Sequence, residues 1–316
     1  MATAVAVCFG ASCSEGSDTP RAATPPATAA ATEPGAETLA FLVTMPERDE
    51  GLYSVGVDGQ DLQEIGPAPG ILDWSPDGSR IVYSDGRPPQ IWVMDADGGN
   101  KQRLTEYEDG AESPTWSHDG RRIAFTRGRW ADDYYNAAEI YAMDADGDNK
   151  TQVTDNEVAE GGPTWSPDGD RIAVTQTGPQ ATHSVAVVDV ATGDETDVTP
   201  DVVPDPWLHW SSRGRIAFTS SLSGNGVWTM SPDGSDLREL ELDASVPQAR
   251  TPAWSPDGDQ IAFVAAEIDM AAEPGEDVSD LYVIPAGGGR AEKVLAEPWF
   301  ILFVDWIPGR GDGGSG

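Results

Sequence analysis

Cysteine is almost missing from this chain. The two present, Cys8 and Cys13, lie close to the N-terminus, and residues 14–316 contain none. A disulfide framework is therefore excluded, and a thiol-free body suits an exported protein, where stray thiols mispair. Lysine is scarce too: Lys101, Lys150 and Lys293 are the only ones among 19 basic residues. Against them stand 54 acidic residues, for a net charge of −35. Such a surface repels phosphate backbones and anionic headgroups, so no nucleic-acid partner is expected and membrane contact only through a lipid anchor. No run approaches the roughly 20 apolar residues that a spanning helix needs. Histidine is limited to His118, His183 and His209, too few and too scattered to make a strong metal site.

Turn formers are plentiful. The chain has 35 Gly and 25 Pro in 316 residues, with 39% hydrophobic residues. That combination supports a real core built from short strands and tight turns rather than long helices.

Residues 1–37 read as a segment ahead of the fold. Residues 1–12 (MATAVAVCFGAS) are small and apolar, like the end of a secretion signal. Gly10-Ala11-Ser12-Cys13 resembles a bacterial lipobox, which implies lipidation at Cys13. Residues 14–37 are Ala, Thr, Pro, Ser and Glu, and they carry too little apolar surface to offset chain entropy. The expectation is a signal and lipobox remnant followed by a disordered spacer, then a globular head over 38–308 and a Gly-rich tail over 309–316.

The head is repetitive. Trp74-Ser75-Pro76-Asp77-Gly78 is followed by Arg80-Ile81-Val82-Tyr83. The unit recurs at Trp165 and Trp254, as Ser-His-Asp-Gly after Trp116 and Ser-Ser-Arg-Gly after Trp210, and a decayed copy starts at Trp306. Successive tryptophans are about 46 residues apart, the size of a four-stranded propeller blade. Strand A ends at the Trp. Ser-Pro-Asp-Gly makes a tight turn, because Pro presets φ and Gly takes a positive φ. Strand B is the Arg-Ile-Ala-Phe run, expected to alternate in and out. Strand C is the Ile-Trp-Val-Met-Asp type (91–95), and after an Asp-Ala-Asp-Gly turn comes strand D (101–105).

The ends predict closure. Residues 38–65 supply B, C and D strands with no Trp turn before them, and residues 300–306 supply an A strand with nothing after it. Joined, they complete a sixth blade and remove the free edges of an open ring. The expected fold is all-β, a six-bladed β-propeller of four-stranded antiparallel blades.

The repeat resembles the TolB-type propellers, relatives of the WD repeat. The resemblance covers residues 38–308 and implies fold more than activity, since propellers host binding modules and enzymes alike. The family's namesake carries an α/β domain ahead of its propeller, where this sequence has its spacer. The resemblance implies an extracytoplasmic, cell-envelope setting.

Function is expected on one face. The A–B and C–D turns share a face and are uniform. The B–C and D–A loops share the other, vary in length, and include the insertions 127–138 and 265–279. Binding sites favour such variable loops. Three tryptophans belong neither to the repeat nor to C strands, namely Trp130, Trp207 and Trp299, and all fall on this face. With Asp132, Asp133, Tyr134, Tyr135 and His209 they form the candidate contact set, with Tyr107 and Glu112 nearby.

Acidic surroundings predict a cationic partner, either an envelope protein or a glycan, whose association weakens with salt. A monomer is expected, with no catalytic residues, no cofactor and no metal. The Asp-x-Asp-Gly turns (95–98, 144–147) place Gly fourth, not sixth as a calcium loop requires. A serine hydrolase would need Gly-x-Ser-x-Gly and a domain of its own. The alternative is a metal-dependent hydrolase or lyase acting on a sugar-like substrate in the central channel.

Overall fold

In a computed structural model the described residues are 37–45, 48–67, 69–128, 138–156, 158–177, 183–198, 204–220, 226–266, 279–295 and 299–309. Cys13, Trp130, Asp132, Asp133, Tyr134 and Tyr135 lie outside them. The described residues belong to one compact unit, Pro34–Gly316.

Among the described residues all regular structure is strand, grouped as six four-stranded antiparallel sheets. The first sheet takes β1 (Thr38–Met45), β2 (Arg48–Gly56) and β3 (Gln63–Pro67) from the start of the chain. The second is β4 (Leu72–Trp74), β5 (Arg80–Asp85), β6 (Gln90–Asp95) and β7 (Gln102–Arg103). The third is β8 (Ala111–Trp116), β9 (Arg122–Arg127), β10 (Glu139–Asp144) and β11 (Thr151–Gln152). The fourth is β12 (Ala159–Trp165), β13 (Arg171–Thr177), β14 (His183–Asp189) and β15 (Glu195–Asp197). The fifth is β16 (Leu208–Trp210), β17 (Ile216–Thr219), β18 (Val227–Met230) and β19 (Arg238–Leu240). The sixth is β20 (Gln248–Trp254), β21 (Gln260–Ala266), β22 (Ser279–Pro285) and β23 (Glu292–Leu295). The last strand, β24 (Phe300–Ile307), returns to pair with β1, so the first sheet runs β24-β1-β2-β3.

These sheets are the blades of a ring. The first strands β4, β8, β12, β16, β20 and β24 touch one another in order, and β24 touches β4. They are therefore the innermost strands around the channel. The clasp is antiparallel, pairing Thr38 with Ile307 and Leu39 with Trp306.

The core is six seams rather than one centre. Each of six apolar clusters joins two neighbouring blades. One holds Leu39, Phe41 and Val43 with Val264 and Leu281 of the sixth blade; another holds Ala40 and Leu42 with Trp74 and Ile81 of the second. Successive residues of β1 thus serve opposite seams, as a period of two requires. B strands were expected to alternate in and out, and here the outcome differs: β9 and β13 are buried at four consecutive residues. Each blade is sandwiched between two others, so neither face of a central strand meets water.

The repeat motif ties blade to blade at three of the seams. Trp165 and Trp210 are almost fully buried. The Arg that opens strand B stacks on the next blade's Trp, with Arg80 4.7 Å from the Trp116 ring, Arg122 4.4 Å from Trp165 and Arg171 5.4 Å from Trp210. Within the turn, Ser75 Oγ donates to Asp77 at 2.6 Å and accepts from Arg80 N at 2.9 Å. Ser117, Ser166 and Ser255 repeat both bonds. In the fifth blade Ser212-Arg213 replaces Pro-Asp; the bond from Arg215 N to Ser211 persists, and Arg213 pairs instead with Asp259.

Candidate functional site

Two regions gather chemistry, the channel and the variable face. The channel is built from the residues preceding each repeat Trp. In ring order these are Asp305, Asp73, Thr115, Thr164, His209 and Ala253. Several reach forward to the next blade's backbone. Asp73 accepts from Trp116 N at 2.6 Å and from the Thr115 hydroxyl at 3.0 Å. Thr164 accepts from Trp210 N at 3.0 Å, and His209 Nδ1 accepts from Trp254 N at 2.8 Å. This explains the neutral state of His209: burial, with His118 adding a little, holds its pKa down to about 3. His118, in the third blade's turn, is lowered by burial as well. His183 is elsewhere, its Nδ1 3.1 Å from the Thr177 hydroxyl.

Asp73 and Asp305 meet at the junction of the first and second blades and share a hydrogen bond. Burial raises both carboxyls, Asp73 to about 6, and the neighbouring Asp73 pushes Asp305 well up. Two carboxylates in contact cannot both ionise cheaply, so the pair holds a proton. The sequence signal was an acid before Trp in just these two blades.

Three residues before the repeat Trp, the inner strands change character. Ser113, Gly162 and Thr251 take positive φ values of 52°, 56° and 45° at bulges in β8, β12 and β20. In the fifth and first blades the same position is Trp207 and Phe303. Their rings meet at 5.7 Å between centroids, although the sixth blade lies between their blades. The contact therefore spans the channel on the variable side.

Trp299 is placed differently. It packs 5.0 Å from Tyr53 and 6.3 Å from Phe41, against the seam of the sixth and first blades. Trp207 and His209 thus stand beside and on the inner strand β16, and Trp299 braces a seam.

The variable face of the second and third blades holds a group that the sequence only hinted at through Tyr107. Arg127 lies 4.1 Å from the Tyr107 ring and 5.2 Å from that of Tyr141. Its Nε donates to both oxygens of Asp109 at 3.2 Å. Arg127 closes β9, just ahead of residues 129–137 in the sequence. Beside this arginine–tyrosine stack a pocket of about 360 Å³ is lined by Asp85, Arg87, Trp92, Arg103, Glu106 and Tyr107, among others. An aromatic floor with charges of both signs suits a peptide or sugar ring better than a simple ion. Among the described residues no group of three or more His, Cys, Asp or Glu side chains is arranged to hold a metal.

The closed ring, with a Trp-Ser-Pro-Asp-Gly turn in three blades and variants of it in the others, defines a six-bladed propeller of the repeat-tryptophan class. The sequence profile of the TolB beta propeller domain matches residues 90–279. The chain belongs to that family.

Among solved structures it is similar to TolB from Acinetobacter baumannii, with TM-score 0.69 and 18% identity, over 86% of this chain and 66% of that one. It is similar to a TolB-described structure from Agrobacterium tumefaciens, with TM-score 0.63 and 19% identity, over 85% and 91%. A chain of a nidogen/laminin complex gives TM-score 0.64 at 11% identity, over 86% and 98%. At these identities the likeness is one of fold.

A shorter match, 36% identical over 56 residues, joins the chain to the uncharacterized peptidase YuxL of Bacillus subtilis (strain 168). It covers 17% of this chain and 8% of that protein. The chain thus spans just under two thirds of the Acinetobacter TolB and a small fraction of the peptidase.

Proposed function

We propose that this protein is an exported, lipid-anchored binding or scaffold module of the cell envelope that engages a protein or glycan through its variable face. The observation that carries this reading is the Arg127–Tyr107–Tyr141 stack beside the aromatic-floored pocket of the second blade. Family membership supports the envelope setting, and Cys13 supplies the anchor. Trp130, Asp132, Asp133, Tyr134 and Tyr135, of the sequence insertion that follows Arg127, complete the proposed contact set. The net charge of −35 favours a cationic partner.

The test is a cross-linking capture from envelope extract. It compares the wild-type protein with a Trp92→Ala/Tyr107→Ala variant and a Trp130→Ala/Tyr134→Ala/Tyr135→Ala variant, each checked by thermal melt. A partner held by the wild type and lost by a folded variant supports the reading; equal capture by all three overturns it. Cys13→Ala should move the protein to the soluble extracytoplasmic fraction.

A further inference from the structure

Five of the six blades carry an aromatic residue at one register of strand C, namely Tyr53, Trp92, Tyr141, Trp228 and Tyr282, each paired with an aromatic residue of strand B. In three of these blades the chain itself supplies a group that lies against the ring. Trp299 is 5.0 Å from Tyr53, the Arg127 guanidinium 5.2 Å from Tyr141 and the Lys293 ammonium 5.5 Å from Tyr282. Trp92 lines the pocket of about 360 Å³ on the variable face.

The third blade shows how this fold seats a cation at that place. Arg127, the last residue of β9, pairs with Glu139 across the ladder, and Tyr141 lies two residues further on, so Arg127 and Tyr141 share one face of the sheet. Asp85, the last residue of β5, pairs with Gln90, and Trp92 again lies two residues further on. The second blade therefore keeps the aromatic and puts an exposed carboxylate where the third puts its guanidinium. Arg127 is matched by Asp109 at 3.2 Å, and Lys293 by Asp280 at 2.6 Å. Both of these filled seats combine an aromatic ring, a cation and a carboxylate. The second blade offers the ring and the carboxylate at the wall of a pocket.

The other charges of the pocket fit a cationic guest. Arg103 is the counterpart of Lys293, since each pairs with the strand C aromatic across the ladder. Its Nε donates to the Thr105 carbonyl at 2.7 Å, and its Nη1 lies 3.6 Å from Glu106. Arg87 and Glu108 complete the charged lining, which leaves acids ahead of bases by three to two. The whole chain, at a net charge of −35, adds a field that draws cations. A planar guanidinium can stack on an indole and meet a carboxylate with two parallel N–H groups, which an ammonium cannot.

We propose that this pocket takes an arginine side chain of a protein partner, its guanidinium stacked on Trp92 and paired with Asp85. The proposal rests on the variable-face reading above and narrows its partner from a protein or glycan to a protein with an exposed arginine.

Saturation-transfer NMR on the full chain tests it. The probes are the blocked pentapeptide acetyl-Gly-Gly-Arg-Gly-Gly-amide, the same peptide with citrulline, which keeps the shape of arginine without its charge, and chitohexaose. The arginine peptide should bind about tenfold more tightly than the citrulline peptide, and Asp85→Asn should weaken it by about fivefold. Asp85→Arg should abolish binding, because it fills the pocket from within as Arg127 does in the third blade. Asp85 is exposed, so neither change disturbs the core, and Arg213→Ala on the uniform face should bind as the wild type does. Equal binding of the two peptides, binding of neither, or binding unchanged in Asp85→Arg overturns the proposal, as does chitohexaose bound in preference to the arginine peptide. If the arginine peptide fails while envelope capture is still lost in Trp92→Ala/Tyr107→Ala, this inference falls and the variable-face reading stands.

Discussion

The two ends of the propeller use the same strands for opposite purposes. On the uniform face four of the six Trp turns are closed by their own side chains, as where Ser75 links Asp77 to the Arg80 amide. Those bonds, with Ser79 helping, hold the Asp77 carboxyl down at about 2. On the variable face, charged and aromatic groups gather beside loops: Arg127 pairs with Asp109 and stacks on two tyrosines, and a pocket lies open beside Trp92. The contrast teaches that repetition here serves stability, and departure from it serves contact.

The contrast can be broken most sharply at the repeat tryptophans. Trp165→Ala removes a fully buried side chain from a seam and should cost about 3–5 kcal/mol, read by denaturant melts. A much smaller loss would mean that the seams do not carry the fold.

Next comes the Asp73–Asp305 pair. Its carboxyls are raised above the ordinary value of 3.8, so the folded protein holds a proton that the unfolded chain gives up. The stability from this pair is complete below about pH 4 and is lost as pH rises through about 6. Asp305→Asn should flatten that slope, with a gain on the order of 2 kcal/mol at neutral pH, seen as melting temperature against pH. An unchanged slope would show that the two do not share a proton.

The turns should follow. Ser166→Ala strips the link between Asp168 and the Arg171 amide and should cost about 1–2 kcal/mol. The same variant should leave partner capture untouched, whereas Tyr107→Ala should do the reverse. At the bottom of the scale, Arg213→Ala loses an exposed ion pair with Asp259 and should shift stability by less than about 0.5 kcal/mol.

The fold was readable because its determinants are local and repeated. A Trp, a Ser-Pro-Asp-Gly turn and a strand every 46 or so residues specify blades whatever lies between them. The clasp was readable for the same reason, since an A strand without followers and three strands without a leader complete each other. The channel was much harder to see. That Trp207 reaches Phe303, or that Asp73 meets Asp305, depends on which strands are innermost and how far residues at the same level lie across a ring. No spacing along the chain encodes that. Trp299 shows the converse difficulty: an aromatic outside the repeat can brace a seam, against Phe41 and Tyr53, as readily as it can meet a partner.

The clasp between β1 and β24 also has a mechanical meaning. The two strands run antiparallel, and Thr38 pairs with Ile307, so both leave the ring at the same end of the ladder. A load applied between those two points peels the pairs apart one after another instead of shearing the whole ladder at once. The seam that closes the ring against heat and denaturant is therefore the one that a pull on its ends opens first, like a zip fastened at its slider.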